Sequence, residues 1–282
     1  MNPHAERRIQ IARDKIAPNY AAHPDVVAVV VCGSASRDLS DSFSDLEMCT
    51  FWTRPPTDEE RLGLIRQVGG TRVSLYPFEE ENGDWSEEFL LPGLKVDMGH
   101  RTLDFTERWI ADTIERFNPD ISRQDTISLI HDCIPLHGAP VIDHLRDVSS
   151  TYPDELARAV VLDNFDFPPA WEPVMLAERG DLLPLYTMFT RIERRIIMVL
   201  LALNHIYLHH QGFKWVDWLT QKLTIAPPNL STRLSHLFMT DPLTAAYTLN
   251  DLIQETVALV QTHMPDLDIS EEIAHLNRPR NQ

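Results

Sequence analysis

Alternating and β-branched apolar runs dominate the first half of the chain and predict strands. They lie at residues 25–33, 45–52, 71–78 and 94–100, and a short proline-marked segment at 131–140 indicates an edge strand. Helical spacing fills the intervals, at residues 1–15, 58–68, 106–117 and 123–130. This mixture predicts an α/β (α+β) domain around a small mixed sheet.

Beyond residue 150 nearly every segment has helical period. Pro153 begins the first of these helices, and residues 191–209 form the most apolar one, which we expect in the core of a bundle. We therefore predict two domains, an α/β domain over residues 1–150 and an all-α helical-bundle domain over residues 151–282.

Candidate chemistry lies at the end of the first predicted strand. Gly33 and Ser34 interrupt the apolar run, and Asp45 and Glu47 follow two residues apart in the next run. Side chains at i and i+2 of a strand project from one face. Two carboxylates there, beside a Gly-Ser turn, can hold a divalent metal and a polyphosphate. The alternative is an ordinary hairpin with a polar rim, since each motif alone is common.

The order of these motifs resembles the nucleotidyltransferase superfamily, which has the polymerase-β-like fold. Residues 33–37 match the family's Gly-Ser loop and residues 44–48 match its Asp-x-Asp/Glu strand, in the Asp-x-Glu form of kanamycin-type enzymes. Asp97, in the apolar run 94–98, matches the family's third carboxylate. The motifs cover about the first third of the chain. One departure is that Ser36 and Arg37 stand where many relatives have a second glycine.

The resemblance implies a nucleotidyltransferase of the antibiotic-modifying kanamycin or lincosamide kind. Such an enzyme moves a nucleoside monophosphate from an NTP, with ATP as the expected co-substrate, to a hydroxyl of a small molecule and releases pyrophosphate. Two Mg²⁺ ions would be held by the carboxylates Asp45, Glu47 and Asp97. The nucleotide would contact Gly33, Ser34, Ser36, Arg37 and Lys214. The general base stays open among Asp97, Asp163 and Asp166.

Charge and composition limit the classes of partner. The formal net charge of −17 argues against nonspecific nucleic-acid binding and suits a cationic acceptor, although acidic surfaces also keep proteins soluble. The acidic run at residues 79–88 reads as a solvated loop, with an acceptor cleft as the alternative. No membrane-length apolar stretch or signal pattern is visible, and the three cysteines have no metal-type spacing, so we expect a reduced cytoplasmic location.

Other interpretations stay open. A non-catalytic nucleotide sensor, or an enzyme that places AMP or UMP on a protein, would use the same fold. The resemblance also implies a homodimer, because kanamycin-type relatives share active sites across a dimer. His205 and His209 have helical metal-binding spacing, but a third ligand is absent and we favour core or helix-end histidines. Arg37 could instead pair with Asp38 or Asp41.

Overall fold

The structure is a computed structural model that describes residues 1–280. Its contacts divide the chain into two compact units. The first comprises residues 1–115 and 122–151, and the second comprises residues 116–121 together with the described chain from residue 152 onward. The change from mixed strands and helices to helices alone, which the sequence predicts near residue 150, falls at the end of the first unit.

The first unit contains a six-stranded mixed sheet. Its order is β3-β4-β5-β2-β1-β6, and β2 pairs with β5 in parallel whereas the other pairs are antiparallel. The mixed sheet and the edge position of the proline-marked strand are therefore confirmed. The strands are β1 Val26–Val31, β2 Leu46–Trp52, β3 Thr71–Glu79, β4 Asp84–Leu91, β5 Leu94–Thr102 and β6 Ile134–His137.

Helices surround this sheet and supply much of its apolar core. The N-terminal helix α1 runs into a π turn, Ala12–Ile16, and then into α2, and its apolar side packs with α4 on the buried face of the sheet. Thr57 and Glu60 begin α4 with a reciprocal capping box. The helices in this part of the chain are α1 Pro3–Ile11, α2 Ala17–Ala21, α3 Gly33–Ser36, α4 Asp58–Gln67, α5 Leu103–Glu115, α6 Ile121–Asp132 and α7 Ala139–Val148.

The second unit is helical. Its most apolar helix, α10, contacts α8, α9 and α13. It is buried along one side in its first half, as its helical period predicts, and on all sides over residues 196–203. The helices are α8 Asp154–Asn164, α9 Trp171–Arg179, α10 Leu182–Leu203, α11 Val216–Thr220, α12 Leu230–His236, α13 Pro242–His263 and α14 Ser270–Leu276. No helix within residues 1–280 is both long enough and apolar enough to cross a membrane.

Two sequence predictions were wrong in their elements. The acidic run at 79–88 is a solvated loop only around its turn at residues 80–83, and its residues 84–88 belong to strand β4, in which Glu87 is buried. The helix predicted at 191–209 instead spans Leu182–Leu203. It stops because Asn204 turns its side-chain oxygen onto the amides of Thr224 and Ile225, and His205 takes a left-handed backbone conformation. His205 and His209 therefore share no helical face.

A buried ion pair joins α4 to β4. Arg61 and Glu87 are both fully buried, and the Arg61 Nε donates to a Glu87 carboxylate oxygen at 2.7 Å. His100 Nε2 lies 2.8 Å from the other Glu87 oxygen. Burial acts to raise the pKa of Glu87, but His100 and Arg61 outweigh it and the pKa is lowered. The carboxylate is thus held charged inside the core.

We expect Glu87→Gln to destabilise the first unit by about 3 kcal/mol, because it removes the buried counter-charge of Arg61 and leaves the exposed Asp58 carboxylate, 3.1 Å away, to balance a buried guanidinium. The measurement is urea unfolding at pH 7, and the matched control is Glu80→Gln, at an exposed glutamate in the turn before β4.

The lowered pKa means that Glu87 contributes stability above the ordinary glutamate pKa of about 4.3 and loses it as the pH falls through the folded-state pKa. The difference between wild type and Glu87→Gln should therefore shrink below about pH 4. An equal stability of the two proteins at pH 7 would contradict this account.

Candidate functional site

Gly33 and Glu47 are in close contact at the junction of β1 and α3. Gly33 has a left-handed backbone, φ +63°, and a Cβ built on it would lie 1.5 Å from the Glu47 Oε2. The Ser34 amide donates to the same Oε2 at 3.0 Å. Only glycine satisfies both the backbone angle and the approach. The Gly-Ser turn and the carboxylate strand therefore fit each other as one unit of structure.

Strand pairing places three carboxylates in a row across the sheet. Glu47 on β2 is opposite Asp97 on β5, and Asp97 is opposite Glu88 on β4. Directly opposed residues project to the same face, with their Cβ atoms about 5 Å apart. Asp45 lies one residue before β2, and its side chain reaches the same group, because its Oδ2 is 3.7 Å from the Lys95 Nζ that also contacts Asp97. The sheet thus brings the predicted acids Asp45, Glu47 and Asp97 together and adds Glu88.

Lys95 lies among these acids. Its Nζ is 2.8 Å from Asp97 Oδ1, 2.8 Å from Glu88 Oε1 and 3.7 Å from Asp45 Oδ2. Burial acts to lower the pKa of Lys95, but its hydrogen bonds to Asp97 and Glu88 outweigh burial and raise it. The ammonium is therefore a permanent positive charge inside the carboxylate group.

Lys95 does not fully offset the effects that raise the pKa of Asp97. Burial and a hydrogen bond with the Asp45 carboxyl raise the pKa of Asp97 to about 7, in spite of Lys95. Two carboxyls so close cannot both ionise easily. A group with a pKa near neutrality in such a place is suited to accept a proton.

The loop before β2 is fixed by hydrogen bonds. Asp41 Oδ1 accepts from the amides of Phe43 and Ser44, and these contacts lower the pKa of Asp41. The buried Arg8 of α1 donates to the carbonyls of Ser44 and Asp45, the latter at 3.0 Å. The N-terminal helix therefore holds the Asp45 backbone in place.

A cavity of about 230 Å³ lies beside the carboxylate row. Glu47, Glu88 and Asp97 line it together with Asp84 and Arg101. Arg101 lies 3.3 Å from Asp84, and burial raises the pKa of Asp84. The charged residues of the lining are predominantly acidic, which favours a ligand that carries hydroxyl or cationic groups.

The remaining residues of the predicted phosphate loop have partners of their own. Ser34 Oγ lies 3.0 Å from Ser40 Oγ, and Ser36 Oγ donates to the Gly33 carbonyl. Arg37 donates to Asp132 at 2.8 Å, and its side chain is almost fully buried. The observed partner Asp132, which α6 brings to Arg37, is neither of the predicted alternatives Asp38 and Asp41.

Three predicted site residues, Asp163, Asp166 and Lys214, belong to the second unit. Asp163 is exposed near the end of α8, whereas Asp166 pairs with Arg195 at 2.5 Å. Lys214 is exposed, with its Nζ 5.9 Å from the Trp215 ring. Arg195 also lines a cavity of about 440 Å³ in this unit, together with Arg191, Arg194 and Phe213. That cavity is basic, in contrast to the cavity in the first unit.

The predicted carboxylates do not form a ready-made metal cage. Within the described residues, three potential metal ligands come within 4.8 Å of one another at His23, Asp25 and Glu60. Arg54 bridges the two acids there, at 2.8 and 2.5 Å, so this set is an ion-pair cluster. The three cysteines are buried and form no disulfide.

Sequence reasoning missed Glu88 and Lys95. Lys95 could have been found, because it precedes Asp97 by two residues and a strand puts both on one face. Glu88 could not be found, because it lies in the acidic run and composition alone does not show that Glu87 is buried whereas Glu88 faces the site.

Comparisons with known proteins give little support beyond this geometry. No protein-family model matches the chain, and no curated protein matches it. Among solved structures, the crystal structure of a nucleotidyltransferase-like protein from Exiguobacterium sibiricum 255-15 is similar over 95% of this chain and 87% of its own, with 14% identity and a TM-score of 0.39. Similarity at this level carries no weight for function, which rests on the residues of the site.

We expect Gly33→Ala to lower the free energy of unfolding by more than the roughly 1 kcal/mol of a left-handed alanine, because the methyl group also collides with Glu47. The matched control is Gly69→Ala, where φ is +75° and a Cβ would meet nothing within 4 Å. Chemical denaturation of both variants measures the difference. Equal losses would show that the contact with Glu47 is not a constraint.

Proposed function

We propose that the protein is a Mg²⁺-dependent nucleotidyltransferase that moves a nucleoside monophosphate from an NTP to a hydroxyl of a small molecule. The observation that carries this proposal is the row Glu47–Asp97–Glu88, one end of which contacts the Gly33-Ser34 turn. Carboxylates beside amides that can bind phosphate are what nucleotidyl transfer requires of a protein.

Each residue of the site has a separate part in the proposed reaction. The acceptor hydroxyl oxygen forms a bond to the α-phosphorus, the bond from that phosphorus to the bridging oxygen breaks, and pyrophosphate leaves. Asp97, which lies opposite Glu47 in the strand register, takes the hydroxyl proton. The Ser34 amide and hydroxyl orient phosphate oxygens, and Gly33 lets the backbone approach them.

The oxygen ligands that the site offers suit a divalent cation. Asp45 and Glu47 offer hard carboxylate oxygens, which Mg²⁺ prefers. Burial and the neighbouring Asp45 carboxyl raise the pKa of Asp97, and a cation beside it would favour the charged carboxylate. When bound, Mg²⁺ supplies charge neutralisation for the triphosphate and the leaving pyrophosphate.

The acceptor class follows from the acidic cavity in the first unit. Asp84, Glu88 and Asp97 line a space that is small for an extended macromolecule but adequate for part of a sugar-like or amine-bearing molecule. A cationic polyol of the aminoglycoside type matches this charge. Protein acceptors and a non-catalytic sensor are the rival functions.

We expect Asp45→Asn and Glu47→Gln each to reduce Mg²⁺-dependent pyrophosphate release by about 10²-fold or more, since several kcal/mol of charge stabilisation are lost. The assay supplies each NTP with pooled aminoglycosides, lincosamides, sugars or nucleosides. Asp104→Asn, whose side chain is 76% exposed and pairs only along α5 with Arg108, is the control and should keep full activity.

Retained turnover in both site variants would refute the proposal. NTP binding without pyrophosphate release in any pool would favour the sensor. Transfer of radioactive label to a protein band would instead identify an AMP or UMP transferase.

A further inference from the structure

Lys95 occupies the middle of the carboxylate group instead of its edge. Its Nζ reaches both oxygens of Asp97, at 2.8 and 3.1 Å, and also contacts Glu88 and approaches Asp45. Carboxylates from β4, from β5 and from the residue just before β2 thus face one ammonium. Such an arrangement of oxygens around a single positive charge resembles the surroundings of a bound cation.

The backbone fixes this position. Lys95 and Asp97 are two residues apart on β5, so both side chains leave the same face of the strand. The β2–β5 register, with Leu46 opposite Val96, places Lys95 beside Asp45. A tethered ammonium cannot diffuse away as a free ion does, so its local concentration among these acids is permanently high.

We propose that the Lys95 ammonium takes the place of one of the two divalent ions expected of such a site, so that the protein binds a single divalent cation. This inference rests on the proposed function and refines it. The remaining cation is held by Asp45 and Glu47, and Lys95 serves as a positioning residue that holds Asp97 and Glu88.

Glu88 has a defined part in this arrangement. It is opposite Asp97 in the β4–β5 register and its Oε1 accepts from Lys95 at 2.8 Å. Glu88 therefore anchors the ammonium from the side away from β2. The pair Glu88 and Lys95 brings one negative and one positive charge, so it adds a cation next to Asp97 without changing the net charge of the site.

The test counts bound Mn²⁺ per chain by electron paramagnetic resonance, with Mn²⁺ alone as the probe and no turnover involved. Wild type should bind one ion at the site. Lys95→Met should bind two, and Lys95→Arg, which keeps the charge, should return the count to one. Lys15→Met, at an exposed lysine of the N-terminal helical segment, controls for loss of a lysine elsewhere and should leave one ion.

Lys95 is 39% exposed, so its removal should not open the core. Circular dichroism checks the fold, and Lys95→Gln replaces Lys95→Met if that variant does not fold. Two ions in wild type, or an unchanged count in the uncharged variants, would overturn the role of Lys95 and leave the proposed function standing. Absence of Mn²⁺ binding in every protein would overturn both this inference and the metal dependence of the proposed function.

Discussion

Repulsion between like charges is the constraint on which the candidate site depends. Parallel pairing of β2 with β5 sets Glu47 directly beside Asp97, and antiparallel pairing sets Glu88 on the other side of Asp97. Backbone hydrogen bonds hold these neighbours regardless of their charge. The repulsion is offset in part by Lys95, which lies among the acids, and by the Ser34 amide, which donates to Glu47.

The two faces of strand β4 carry neighbouring glutamates in opposite environments. Glu87 points into the core, where Arg61 and His100 neutralise it, and the adjacent Glu88 belongs to the face that carries the site. A strand alternates faces at every residue, so a slip of one position would bury Glu88 and expose Glu87. The buried ion pair consequently fixes the register that aligns Glu88 with Asp97.

Much of the first unit could be predicted from the sequence, because its strands are short apolar runs bounded by turn residues. The glycine turn and the paired acids were also visible from local spacing, and Asp97 was visible through the resemblance to a known family. Strand β4 was not, because the burial of Glu87 depends on Arg61, which lies 26 positions earlier in the chain. The partner of Arg37 was missed for the same reason, since Asp132 is 95 positions away. Long-range partners decide whether a charged residue is solvated or buried, and no local pattern records them.

Glu47 links the two halves of the proposed chemistry. Its Oε2 accepts from the Ser34 amide, which is the donor that a phosphate oxygen would use, and the same carboxylate is a proposed metal ligand. A phosphate oxygen and Glu47 cannot both take that amide fully. Whatever draws the Glu47 carboxylate toward a cation therefore releases the amide for phosphate, and a phosphate that takes the amide releases the carboxylate for a cation. Such coupling is reciprocal by thermodynamic necessity. It makes the contact between Glu47 and the Gly33-Ser34 turn the physical link between nucleotide and metal in the proposed function.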